Sequence, residues 1–159
     1  MDKYLQAAIA EAQSGLNEGG IPVGAVLVID GEIVARGRNQ RVQKGSPILH
    51  AETDCLANGG CLTTEQYKRS TLYSTLSPCD MCSGTILLYG IPKVVIGESR
   101  TFTGPEEYVR SRGVELVMAE SEECYQLMQE FIKIKPDFYM TLPWARPGQV
   151  NQSSQSASS

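Results

Sequence analysis

The chain contains one histidine, and its setting constrains the fold more than any other feature. It stands in His50-Ala51-Glu52, and a second word, Pro78-Cys79-Asp80-Met81-Cys82, follows after a stretch with room for a helix and a strand. One imidazole and two thiols form a donor set that suits zinc, and a catalytic zinc site uses three protein ligands with a fourth position left for water. His50, Cys79 and Cys82 supply three such groups, so the fold must close two remote segments onto one point. Cys79 and Cys82, at i and i+3, project from one face of a helix start. Free N–H groups and the helix dipole favour thiolates there. Positions i and i+2 of a regular helix point about 200° apart, so His50 and Glu52 can serve one pocket only if His50 precedes the helix proper. The spacing therefore predicts His50 at a helix start, with Glu52 placed to carry protons.

The rest of the chain reads as alternating helices and short apolar strands. Leu5, Ala8, Ile9, Ala12 and Leu16 have helical spacing, and Gly19-Gly20 with Pro22 ends that helix. Residues 23–29 and 32–36 are strands joined by Asp30-Gly31, a two-residue hairpin signal. A polar loop over residues 38–47 delivers His50 to a second helix that ends near Gly59-Gly60. Residues 70–75 form a strand, and a third helix starts with Ser77 as N-cap and Pro78 at the first helical position. Further strands over 94–96 and 114–118, a short helix over 106–110, and a long helix with Cys124, Leu127, Met128 and Phe131 on one face complete the pattern. This predicts an α/β domain: a mixed sheet of about five strands with helices on both faces. One domain is expected over residues 1–146, with a low-complexity, disordered tail over 147–159.

Composition narrows the partners. The formal net charge is −4, from 14 Lys and Arg against 18 Asp and Glu, and the basic residues are scattered rather than clustered. A polynucleotide footprint is normally basic, so a small-molecule substrate is expected and no nucleic acid. No apolar run approaches the ~20 residues of a membrane span, and the N-terminus lacks a signal-peptide pattern, so no membrane partner and a cytoplasmic location are expected. Five cysteines, an odd number, argue for reduced thiols rather than a disulfide framework. Cys124 lies in an apolar stripe, and Cys55 and Cys61 read as buried or loop thiols. A structural zinc site would recruit one of these three as a fourth ligand.

The combination H-x-E with P-C-x-x-C resembles the signature of zinc-dependent nucleobase deaminases. Longer words are similar to those of fungal cytosine deaminases: Glu18-Gly-Gly-Ile-Pro-Val-Gly24, Gly37-Arg-Asn-Gln-Arg41, Gln43-Lys-Gly-Ser46, Thr71-Leu-Tyr-Ser-Thr-Leu-Ser-Pro-Cys-Asp-Met-Cys82 and Tyr89-Gly-Ile-Pro92. The resemblance implies a three-layer α/β/α cytidine-deaminase-like fold and a homodimer. It also implies hydrolytic deamination of a free nucleobase, cytosine or an analogue such as isocytosine, by a zinc-activated water with Glu52 as catalytic proton shuttle. It assigns Zn²⁺ to His50, Cys79 and Cys82, and substrate contacts to the Asn39 amide, the Ala51 backbone N–H, the Ser77 carbonyl and a stacking Phe102. At the C-terminus the family places an aromatic pair and then an Asp that contacts the amine. Counted without a gap from Pro136, Tyr139 and Met140 take the aromatic positions and Leu142 that of the Asp. Tyr139 is thus a further expected substrate contact, and Tyr139, Pro143 and Trp144 could form a differently shaped lid. Guanine or another amino-heterocycle is the alternative substrate, and a non-catalytic zinc-stabilised binding module is the alternative from another class.

Overall fold

The computed structural model describes residues 2–145; the tail expected over 147–159 lies outside the described residues. In chain order the elements are α1 (Lys3–Asn17), β1 (Gly24–Ile29), β2 (Glu32–Arg38), α2 (Arg41–Lys44), α3 (Ala51–Gly59), α4 (Thr64–Lys68), β3 (Ser70–Leu76), α5 (Asp80–Tyr89), β4 (Lys93–Glu98), α6 (Glu106–Ser111), β5 (Glu115–Met118), α7 (Glu122–Ile134) and α8 (Pro136–Met140). The strands form one mixed sheet in the order β2-β1-β3-β4-β5. β1 pairs antiparallel with β2 and β3, whereas β3–β4 and β4–β5 are parallel. The β1–β2 hairpin turns at Asp30 (φ 50°) and Gly31 (φ 81°), the two positive φ values that a type I′ turn requires.

Successive strand residues face opposite sides, and the two cores divide accordingly. Val26, Val28, Tyr73 and Val95 pack with Leu5, Ala8, Ile9 and Ala12 of α1 and with Cys124 and Leu127 of α7. Ala25, Leu27, Leu72, Val94 and Ile96 pack on the other side with Ala51, Cys55 and Leu56 of α3 and Ile86 of α5. The result is the three-layer arrangement expected. Two glycines set how close the helices come. A side chain at Gly24 would strike the Ala8 carbonyl and lie 2.6 Å from Ala12 N, and one at Gly37 would strike Cys55 N and lie 2.8 Å from the Ala51 carbonyl. Gly37 is what lets the start of α3, and with it His50, sit directly against β2.

The local details differ from expectation at several points. α5 begins two residues later than the Ser77 cap predicts: Cys79 is the N-cap, in extended conformation (φ −71°, ψ −179°). The first helical bond is Ser83 N–H to the Cys79 carbonyl at 2.8 Å. The Ser77 hydroxyl cannot cap because it is engaged by Gly104 and Glu106 instead. The polar loop contains the single turn α2, β2 extends to Arg38, and the one-turn helices α4 and α8 were not expected. α4 carries a capping box between Thr63 and Gln66, a sequence signal overlooked because the helix it starts is so short. Among the described residues no helix is long and apolar enough to cross a membrane.

Candidate active site

His50 is the N-cap of α3, extended at φ −74° and ψ 171°, so the expectation that it precedes the helix holds. Its N–H donates to Thr53 Oγ1 at 2.9 Å, which fixes the backbone as it enters the helix. From there the imidazole Nδ1 lies 3.4 Å from Cys79 Sγ and 3.7 Å from Cys82 Sγ, and the three ligand atoms all lie within 4.8 Å of one another. Tetrahedral zinc with Zn–N near 2.0 Å and Zn–S near 2.3 Å requires N···S separations of about 3.6 Å. The triad therefore fits the metal as it stands. Cys55 and Cys124 are buried elsewhere and Cys61 is exposed, so none of them completes a closed four-ligand structural site.

The electrostatics support the same donor set. Cys79 is drawn down to about 4, first by the hydrogen bond from the Cys82 thiol and then, against the opposing effect of burial, by His50. Cys82 is pushed up by that same bond and by burial. The pair thus favours one thiolate on Cys79, and a bound divalent cation would favour the thiolate of both. Burial pulls the His50 pKa down, but its contact with Cys79 outweighs this and the net shift is upward.

Glu52, one residue into α3, is 4% exposed. Burial raises its carboxyl pKa, opposed by hydrogen bonds from Cys82 and Ser74. Ser74 Oγ lies 3.1 Å from Glu52 Oε1 and 2.8 Å from the Leu76 carbonyl. The hydroxyl has one proton for two acceptors, so Ser74 can accompany either protonation state of Glu52.

A small cavity, of about 20 Å³, opens beside the triad. His50, Ala51, Glu52, Cys79, Asn39 and Ser77 line it together with the apolar Val23, Leu76, Phe102 and Trp144. Asn39 is 2% exposed; its Oδ1 accepts from Arg41 N at 2.9 Å and its backbone N–H donates to the Val23 carbonyl at 3.1 Å. Ala51 is the first residue of α3, where backbone N–H groups have no partner within the helix. Phe102 and Trp144 are each 8% exposed, and the Trp144 ring meets His50 edge-on at 4.9 Å between centroids.

Tyr139 is the expected contact that the fold does not bring here. It is 1% exposed, belongs to the hydrophobic core and is not among the residues lining the cavity. Its hydroxyl is raised to about 12 by burial and then by Glu98. The cause is α8: one helical turn after Pro136 rotates Tyr139 inward, and the chain regains the cavity at Trp144. Leu142, counted onto the position of the missing Asp, is likewise core.

Several supporting residues escaped the sequence reading. Asp54, 3% exposed, accepts from Arg38 N–H at 3.0 Å and from Gln40 Nε2 at 3.5 Å, bracketing Asn39. Glu98, 2% exposed, accepts the Arg100 and Thr101 N–H groups at 2.7 and 2.9 Å, shaping the turn before Phe102. Buried acids in otherwise apolar segments were the available signal, but their partners are remote in sequence.

Known proteins match this arrangement. Residues 1–98 match the family described as the cytidine and deoxycytidylate deaminase zinc-binding region. The chain is 47% identical over 135 residues to a cytosine deaminase of Candida albicans, covering 84% of this chain and 90% of that protein. It is 44% identical over 96 residues to a tRNA-specific adenosine deaminase of Bacillus subtilis, covering 59% of each. The guanine deaminase of Nitrosomonas europaea, at 18% identity, shares the fold with a TM-score of 0.64 over 80% of this chain and 82% of that one. With a metal-fitting triad, a buried carboxyl beside it and relatives of this extent, the chain belongs to the cytidine and deoxycytidylate deaminase family and is a zinc-dependent deaminase.

Proposed function

We propose that the chain hydrolyses the exocyclic amine of a free nucleobase, cytosine before others, giving uracil and ammonia. The observation that carries this reading is the small size and aromatic lining of the cavity. At about 20 Å³ it is far smaller than the roughly 300–1,000 Å³ typical of ligand pockets. A site this small, lined by Phe102 and Trp144, each 8% exposed, suits a lone pyrimidine ring better than a ribose-bearing or polymeric substrate. The identity to a cytosine deaminase over most of both chains points the same way, as does the net charge of −4.

Zinc held by His50, Cys79 and Cys82 would supply a water of lowered pKa beside the base. Glu52 is placed to carry both protons of the attacking water, one to the ring nitrogen as the C–O bond forms and one to the amine as the C–N bond breaks and ammonia leaves. Its raised pKa, set by burial, brings the carboxyl closer to working pH, where proton transfer in both directions is fastest. The Ala51 N–H and the Asn39 amide hold the carbonyl edge of the ring. The Ser77 carbonyl accepts from the amine, Phe102 stacks on the ring face, and Trp144 keeps bulk water out. Among the described residues Glu52 is the one carboxylate lining the cavity, so no acid is left to serve as a second acceptor for the amine.

The odd number of cysteines and the need of zinc for the thiolates of Cys79 and Cys82 suit a reducing compartment, which we take to be the cytoplasm. A second copy of the chain is the partner we infer for the apolar surface around Leu62, Tyr67, Leu88 and Tyr89, where Leu88 is 77% exposed. Sedimentation equilibrium showing a monomer would remove that inference.

The test is ammonia release by zinc-loaded protein from cytosine, isocytosine, guanine, cytidine and an adenosine-bearing tRNA stem-loop. Cytosine should give the highest kcat/KM. Preference for guanine would move the reading to an aminopurine; preference for cytidine or the stem-loop would overturn the closed-pocket argument.

A further inference from the structure

Ser77 is bound to both ends of the segment that carries Phe102. Its backbone N–H donates to the Glu98 carbonyl at 3.0 Å, at the start of that segment. Its hydroxyl accepts the Gly104 N–H at 3.0 Å and donates to Glu106 Oε2 at 2.6 Å, at the end. Gly104 packs so closely that a side chain there would strike the Pro78 carbonyl and lie 3.5 Å from Phe102 Cε1. Ser77 is 3% exposed, so these bonds compete with little water. Two of its polar groups, the N–H and the hydroxyl, hold the loop through three bonds, and the third, the carbonyl, belongs to a residue of the cavity wall.

We propose that Glu106 is a positioning residue: by accepting the Ser77 hydroxyl it fixes the Ser77 carbonyl and Phe102 in mutual register, and so sets the affinity for the amino group of the substrate. Glu106 does not line the cavity and touches no reacting atom. Its effect passes through Ser77 alone. This inference rests on the reading that the Ser77 carbonyl receives the amine. A short hydrogen bond to a carboxylate is stronger than one between neutral groups. It also ties the end of the Phe102 segment to the residue whose carbonyl must stay in place if carbonyl and ring face are to engage one base together.

The experiment compares zinc-loaded wild type, Glu106→Ala, Glu106→Gln, Ser77→Ala and the Ser77→Ala/Glu106→Ala double variant on cytosine, with uracil as competitive inhibitor. Glu106→Ala should raise KM for cytosine roughly tenfold, the size of one lost hydrogen bond, with a smaller change in kcat. The inhibition constant of uracil, which has no amine but still stacks on Phe102, should rise less than the KM for cytosine. Glu106→Gln keeps an acceptor oxygen and should recover most of the loss, while the double variant should match Ser77→Ala because both act on one link. Equal weakening of cytosine and uracil would mean general disruption of the pocket and would overturn the proposal. So would an effect of Glu106→Ala that adds to that of Ser77→Ala, or a Glu106→Gln as impaired as the Ala variant. If wild type prefers another amino base, the same comparison is made with that base and its deaminated product. If it turns over no amino base, the functional reading falls and this inference with it, whereas an unaffected Glu106→Ala in an active wild-type background refutes the positioning role alone.

Discussion

Glu52→Gln separates proton transfer from every other contribution of the site. The substitution preserves shape at a position that is 4% exposed and leaves His50, Cys79 and Cys82, the atoms that fit zinc, untouched. General acid–base catalysis by one side chain is worth about 10²–10⁴ in rate. Because Glu52 would carry two protons in turn, one to the ring and one to the amine, the loss belongs at the upper end, roughly 10³–10⁴ in kcat, or about 4–5.5 kcal/mol of barrier. Stability should move the other way. Burial raises the Glu52 pKa, so its ionised form opposes folding at neutral pH, and a neutral amide removes that opposition. Each tenfold weakening of the acid by burial corresponds to about 1.4 kcal/mol. The assay is ammonia release alongside zinc content and a thermal melt of the metal-free protein. A kcat within tenfold of wild type with zinc retained would refute the shuttle role. Loss of zinc would make Glu52 a ligand rather than a proton carrier, which would refute the division of roles just as fully.

Other perturbations probe the surroundings. Trp144→Ala should cut kcat/KM for cytosine by about 1–3 kcal/mol, the worth of one aromatic contact with a base, and should narrow the discrimination against cytidine, as parallel kinetics on the two substrates will show; unchanged discrimination would mean Trp144 does not close the pocket. Zinc removal by a chelator should expose Cys79, half-buried and drawn down to about 4, to a thiol reagent that reaches only Cys61 in the loaded protein, since Cys55, Cys82 and Cys124 are buried and Cys55 and Cys124 are raised to about 12 and about 11 by that burial. Glu98 has its pKa raised by burial. A raised folded-state pKa means its contribution to stability is complete below the unfolded value of about 4.3 and is lost as pH rises through the folded value. Denaturant melts across that window should show stability falling with pH in wild type and a flatter profile in Glu98→Gln; identical profiles would contradict the assignment.

Legibility in the sequence followed the range of the interactions. The hairpin at Asp30-Gly31 could be read because positive φ is a property of the two residues themselves. The zinc triad could be read because donor chemistry and helix-start geometry are local, and His50 as N-cap follows from the angular spacing of His50 and Glu52 alone. Ser77 was misplaced as a cap because its hydroxyl answers to Glu106, 29 residues away, and such a bond leaves no trace in the neighbouring residues. Trp144 lines the cavity, whereas Tyr139, expected beside it, lies in the core, because the register after Pro136 depends on whether one further helical turn forms, which packing of Tyr139 decides. The zinc-fitting groups each stand at a helix start of their own, whereas the Ser77–Glu106 bond and the packing of Trp144 against His50 join residues far apart in the chain. Under the proposed function, the choice of base rests on these longer contacts. Substitutions confined to residues 136–145 should therefore change which base is accepted while leaving the metal site intact.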